Sequence, residues 1–225
     1  MTIHVQQGEI DGVLFDFDGT LADTLPLSFH AFKEVFRKYT GRDYTNEELV
    51  SLFGPTEDGI ISGVLKDESL SAEACAAYYR LYDEHHEEML KLSAEIRMML
   101  EELAEYHIPM GIITGKSRRS LDISLDKLGM RHYFDVQFAG DELQRPKPDR
   151  EGIDRAMEAL GVQPQATLFI GDSNADMTAG RAAGTRIGGA HWFEEVQNVS
   201  LTPEPDYLFR SPAEVGWLVL KNRRG

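Results

Sequence analysis

Four short stretches of the chain carry residues that could do chemistry. The first is Asp16-Phe17-Asp18-Gly19-Thr20, at the end of the apolar run Val13-Leu14-Phe15. The second is Thr114-Gly115-Lys116-Ser117, after Met110–Ile113. The third, Arg145-Pro146-Lys147-Pro148-Asp149, holds a lysine between two prolines, and the fourth is Gly171-Asp172-Ser173-Asn174-Ala175-Asp176. If Asp16, Asp18 and Asp172 converge, they repel one another strongly. A hard divalent cation resolves that repulsion, and Mg2+ suits a site with few carboxylates that leaves room for water and phosphate oxygens. Lys147 and Thr114 then remain as donors to an anion. A carboxylate nucleophile, a metal, a lysine and a hydroxyl together suit phosphoryl transfer, where charge on the equatorial oxygens must be stabilised.

Such a set must be positioned by a scaffold. Short apolar runs recur at Val13–Asp16, Met110–Thr114, Val136–Ala139, Thr167–Gly171, Arg186–Gly189 and Tyr207–Phe209. Amphipathic helical patterns lie between them: Ile96, Met99, Leu100 and Leu103 share one face, as do Leu121, Leu125 and Leu128, and Ile153, Ala156, Met157 and Leu160. Gly129, Gly161 and Gly184 fall where helix C-caps are expected, and Ser211-Pro212-Ala213-Glu214 reads as a capping box. Strand alternating with helix predicts a doubly wound parallel α/β sheet, a Rossmann-like core, with ligands beyond the carboxyl ends of its strands. The four chemical stretches sit at those ends.

The alternation breaks between the first and second strands. Leu25–Tyr39, Asn46–Phe53, Thr56–Leu65 and Ser71–Leu92 all read as helices, far more chain than a simple crossover needs. The expected organisation is a catalytic core of residues 1–22 and 94–225, with a helical domain, 23–93, inserted after the first strand.

Composition narrows the partners. The chain has 225 residues, with 23 Lys and Arg against 38 Asp and Glu, for a net charge of −15. That argues against nucleic acid and anionic membranes, whose phosphates are met by basic patches. It leaves room for a small phosphorylated substrate held by a few local cations. The single cysteine, Cys75, permits no intramolecular disulfide and no cysteine zinc site. No apolar stretch approaches the roughly 18 residues of a membrane span, and the amino terminus lacks the pattern of a signal peptide. A cytoplasmic location is expected, as a monomer or a homodimer.

The stretches DFDGTLADT, IITGKS, RPKPD and FIGDSNADM, in that order, resemble the four motifs of the haloacid dehalogenase (HAD) superfamily, and the helical insert stands where that superfamily places its cap. The resemblance implies roles. Asp16 would be the nucleophile, forming an aspartyl-phosphate. Asp18 would protonate the leaving oxygen and then activate water. Thr114 would hydrogen-bond the phosphoryl group, and Lys147 would balance charge on it and on Asp16. Asp172 would bind Mg2+ with Asp16 and the backbone carbonyl of Asp18, supported by Asp176. The amides of Phe17 and Gly115 would complete the phosphate cradle. Dehalogenases of the superfamily lack the second aspartate and need no metal, so Asp18 favours a phosphatase.

Specificity is expected in the cap. The loop Leu52–Gly59 offers Thr56 and Glu57 as substrate contacts, although Glu57 also fits an acidic residue in a helix's first turn. The pattern resembles phosphoglycolate phosphatase-like members, and FGPTE, DEHHEE and GIITGKSR also resemble the family's inorganic pyrophosphatases. A sugar-phosphate mutase is disfavoured, because Ser28 stands where β-phosphoglucomutase relatives carry a histidine. A non-catalytic binding module is disfavoured by the intact acidic, hydroxyl and lysine set. Lys116 is expected to lie near the site without a part in it. Asp23 is expected to cap the next helix or bond its loop. His85 and His86 are expected on a solvated helix face, the alternative being that one turns to the cleft. Tyr78, Tyr79, Tyr82 and Met89 are expected in the cap core.

Overall fold

The computed structural model describes residues 9–194 and 197–223. Six parallel strands form one sheet: β1 (Gly12–Phe15), β2 (Met110–Ile113), β3 (Val136–Phe138), β4 (Thr167–Gly171), β5 (Arg186–Ala190) and β6 (Tyr207–Phe209). Their spatial order is β3-β2-β1-β4-β5-β6. The chain runs outward from β1 to β3, then returns to place β4 against β1. The order therefore reverses at the carboxyl ends of β1 and β4, where open α/β sheets hold their ligands.

Every residue of β1, β2 and β4 is buried, as expected of parallel strands covered on both faces. Side chains alternate between the faces. Val13 and Phe15 pack with helices α5 (Ala94–Glu105), α6 (Arg118–Leu128) and α9 (Pro212–Leu220), whereas Leu14 packs with α7 (Glu151–Leu160) and α8 (Asn174–Ala183) on the other side. Gly129, Gly161 and Gly184 end α6, α7 and α8 in the left-handed conformation that a C-cap favours.

Between β1 and α5 lie four helices, α1 (Leu25–Thr40), α2 (Asn46–Val50), α3 (Glu57–Leu65) and α4 (Glu68–Met89). They bury a separate apolar cluster built on Phe32, Phe36, Leu49, Ile61, Tyr78 and Tyr82. Three boundaries differ from the helical pattern by more than one residue, each for a local reason. Helix α2 stops at Val50, because Leu52 and Phe53 bond one residue short, to Leu49 and Val50, ahead of Gly54 at φ 137° and Pro55. Helix α4 begins at Glu68, because the Asp67 carboxylate accepts from the Leu70 amide at 3.0 Å. It ends at Met89, where Leu90 turns extended. Met89 is therefore at the end of the helix and exposed, not in the insert's core.

Candidate active site

Asp16, Thr114 and Asp172 stand where β1, β2 and β4 stop. The strand hydrogen bonding of β1 carries one step past Phe15, with the Asp16 amide donating to the Ile170 carbonyl at 2.8 Å. The chain then turns sharply. Phe17 is buried in the sheet core, and its carbonyl accepts from the amides of Leu21 and Ala22. Gly19 holds φ 77°, and a Cβ there would lie 2.3 Å from Asp172 Oδ2. Only glycine lets the two loops approach this closely.

Lys147 reaches into this crevice from the loop after β3. Its Nζ lies 2.6 Å from Asp16 Oδ1 and 2.6 Å from Asp176 Oδ1. Asp176 also accepts from the Ser173 amide and hydroxyl through Oδ2, which closes the capping box that starts α8. Asp176 thus caps its own helix and also meets Lys147 beside Asp16. Asp172 is fully buried. Its Oδ2 accepts from the Gln197 amide at 2.7 Å, and its Oδ1 has no hydrogen-bond partner among the described residues.

Asp16, Asp172 and Asp176 each offer a carboxylate oxygen within 4.8 Å of the others. Burial pushes the Asp16 carboxyl up to about 7 against the opposing pull of Lys147, with repulsion from Asp176 adding to the rise. Burial, then repulsion from Asp16 and Asp176, also holds Asp172 well above the usual carboxylate range. One ammonium does not neutralise three buried carboxylates. The orphaned Asp172 oxygen and this all-oxygen donor set therefore fit a hard divalent cation.

The Asp18 carboxylate lies outside this cluster. It accepts from the Thr24 hydroxyl, and its Oδ1 is 3.1 Å from Lys116 Nζ. Thr24, not Asp23, occupies the N-cap position of α1. Lys116 is buried, lies over the Tyr82 ring, and also pairs with Glu57 Oε1 at 3.5 Å. The attraction of Asp18 and Glu57 outweighs the burial that would lower it, so its ammonium is held charged. The signal was a lysine at a strand end, whose charge requires acidic partners once it is buried. Thr114 is buried beside Gly115 at the end of β2, and its Oγ1 accepts from the Lys116 amide at 3.2 Å. Ser117 caps α6.

A cleft of about 240 Å3 opens above these residues, between the sheet edge and the helical insert. Asp16, Asp18, Thr114, Gly115 and Lys147 line its floor, and Glu57 and Ser28 line it from the insert. Thr56 is not among the described lining residues. It precedes α3 as its N-cap, with its methyl group beside Gly140. The histidines behave differently from each other. His85 is partly exposed and stacks edge-on against His30. His86 is fully buried and bonds Ser124 Oγ at 3.1 Å, so it faces α6 and neither solvent nor cleft. Tyr79 and Tyr82 belong to the insert's core, yet their hydroxyls bond Ser117 and Ser124. Gln197 and Asn198 also line the cleft, from a polar stretch with no motif spacing.

A family model described as haloacid dehalogenase-like hydrolase matches residues 13–190. Pyrophosphatase PpaX of Bacillus cereus (strain AH820) is 28% identical over 200 residues, covering 89% of this chain and 92% of that protein. Its counterpart in Bacillus mycoides (strain KBAB4) is 29% identical with the same coverage. Among solved structures, CbbY from Rhodobacter sphaeroides in complex with phosphate superposes with a TM-score of 0.79 at 25% identity, covering 92% of this chain and 96% of that one. A predicted phosphoglycolate phosphatase from Haemophilus somnus 129PT gives 0.82 at 20% identity, covering 96% and 99%, a likeness of fold.

Proposed function

The chain belongs to the haloacid dehalogenase-like hydrolase family, and on that premise we propose that it is a Mg2+-dependent phosphatase that cleaves a small phosphomonoester through an aspartyl-phosphate on Asp16. The observation that carries this reading is Lys147 bridging Asp16 and Asp176 at 2.6 Å each, with Asp172 beside them. Lys147 orients the Asp16 carboxylate and offsets charge as an anionic phosphoryl group arrives. An Asp16 oxygen attacks phosphorus, and the bond to the leaving oxygen breaks. Asp18 gives that oxygen its proton, then takes one from the water that attacks the aspartyl-phosphate, releasing phosphate and restoring Asp16. Thr114 and the Gly115 amide hold the phosphoryl oxygens. Asp16, Asp172, Asp176 and the Asp18 carbonyl would hold Mg2+, which when bound supplies electrostatic stabilisation of the phosphoryl oxygens.

Residues 23–93 act as a cap in this reading, hinged near Leu21–Leu25 and Leu92–Ile96. Their separate apolar cluster supports it, since a unit with its own core can move as one body. Solution scattering with and without a phosphate analogue tests it, and one identical profile would overturn cap movement.

Release of phosphate from p-nitrophenyl phosphate, dependent on Mg2+ and lost in Asp16→Asn, tests the main reading. Failure to hydrolyse any phosphate ester or anhydride with Mg2+, or halide release without metal, would sink it. The likeness to PpaX along 89% of the chain favours inorganic pyrophosphate as a second reading, which phosphate release from pyrophosphate measures directly.

A further inference from the structure

The floor of the cleft accounts for a phosphoryl group, and its roof is of a different character. Leu25, Phe32, Val50, Phe53, Ile60 and Tyr78 of the insert close over the floor. The polar groups that the roof adds are few. Glu57 is already committed to the Ser117 amide at 2.8 Å and to Lys116, which leaves the hydroxyls of Ser28 and Tyr78, the latter buried without a hydrogen-bond partner among the described residues, beside the aliphatic and phenyl side chains.

The charges point the same way. Among the described lining residues the cations are Lys116 and Lys147, and both are already paired with carboxylates. Asp16, Asp18, Asp172, Asp176 and Glu57 face those two ammonium groups. A divalent ion and the transferred phosphoryl group would leave this balance negative. A second phosphoryl group or a carboxylate on the leaving side would then enter the roof with no free cation to meet it, at the cost of desolvating a charge among apolar side chains. A sugar carries more hydroxyls than the two, Ser28 and Tyr78, that the roof offers as partners. An uncharged hydrocarbon group would instead bury its surface against the ring and aliphatic side chains.

Resting on the phosphatase reading above, we propose that the substrate is a phosphomonoester whose leaving group is uncharged and predominantly apolar, which sets it against phosphoglycolate and against the second reading of pyrophosphate. Specificity then comes from burial over the cleft and not from charge recognition. The roof residue Val50 is half-buried at the end of α2, so a cation can be introduced there without filling the deep core.

Alkylphosphonates test this without chemistry. Dissociation constants for methyl-, ethyl-, propyl- and butylphosphonate are measured by calorimetry on the full chain with Mg2+, beside phosphonoacetate as an anionic probe of similar size. Affinity is expected to rise about threefold to fourfold per added methylene, and propylphosphonate to bind at least about tenfold more tightly than phosphonoacetate. In Val50→Lys the gap between the two is expected to narrow at least about fivefold. A flat alkyl series, or tighter binding of phosphonoacetate, overturns the proposal. Turnover of p-nitrophenyl phosphate in the same preparation reports separately on the phosphatase reading. Loss of turnover with the alkyl trend intact would overturn only that reading, and a flat series with turnover intact only this one.

Discussion

Glu57 Oε2 accepts a hydrogen bond from the amide of Ser117 at 2.8 Å, across 60 positions of sequence, and this bond ties the first turn of α3 to the N-cap of α6. The other oxygen of the same carboxylate faces Lys116, which also holds Asp18. A carboxylate of the insert is thereby linked through one ammonium to the proposed acid–base group.

Lys116→Met should therefore cost more than a surface charge does. It leaves Asp18 and Glu57 near each other without their shared counterion, and breaking a buried pair in this way costs about 3–5 kcal/mol. Urea unfolding measures the loss. The double variant Lys116→Met/Glu57→Gln should recover part of it, because one of the two stranded charges is removed. Strictly additive losses would show that the three groups are not coupled.

Asp16→Asn separates activity from stability. Turnover should fall by more than about 10³-fold, since the amide cannot act as the nucleophile. Stability should stay within about 1 kcal/mol of the parent or rise, because a buried charge repelled by Asp176 and Asp18 is removed while Lys147 keeps Asp176. A paired thermal melt and phosphate-release assay checks both halves.

Mg2+ should stabilise the protein through the acidic cluster. At a hundredfold excess over its dissociation constant, a ligand of the folded state adds about 2.7 kcal/mol, or roughly 5–10 °C in Tm for a chain of this size. Asp172→Asn should abolish that shift while leaving the metal-free melt little changed, because the amide can still accept from Gln197. An equal Mg2+ shift in the variant would place the ion elsewhere.

The sheet was legible because its signals are local. Apolar runs such as Thr167–Gly171 end at the chemistry-bearing residues, and glycines such as Gly161 stop the helices where the apolar period ends. Convergence of Asp16, Lys147, Asp172 and Asp176 follows from strand order, which a right-handed parallel topology restricts. Contacts between the insert and the core left no such trace. Glu57 looks like an ordinary first-turn acid, and its partners are set by how α3 docks. His86 sits in YDEHHEEM, whose charges suggest a wet helix, yet the face it shares with Tyr79 and Tyr82 lies against α6. A charged local sequence did not reveal one dry stripe.

His86 should make the protein acid-sensitive. Burial, with the nearby charges of Lys127 and then Lys116, lowers its imidazole to about 4. An unfolded histidine titrates near 6.5, so between those values the unfolded chain binds the extra proton. Stability must then rise with pH across that window and fall as the pH drops from about 6.5 toward 4. The contribution of this one group should be about 2 kcal/mol smaller at pH 5 than at pH 7. His86→Gln can keep a hydrogen bond to Ser124 but cannot titrate. Denaturant unfolding of parent and variant at both values isolates the term, because the other titrating groups are common to the two. The difference in stability between pH 7 and pH 5 should be about 2 kcal/mol smaller in the variant. Equal pH dependence in the two proteins would show that His86 takes up its proton without cost, and that its packing against α6 does not depend on the neutral ring.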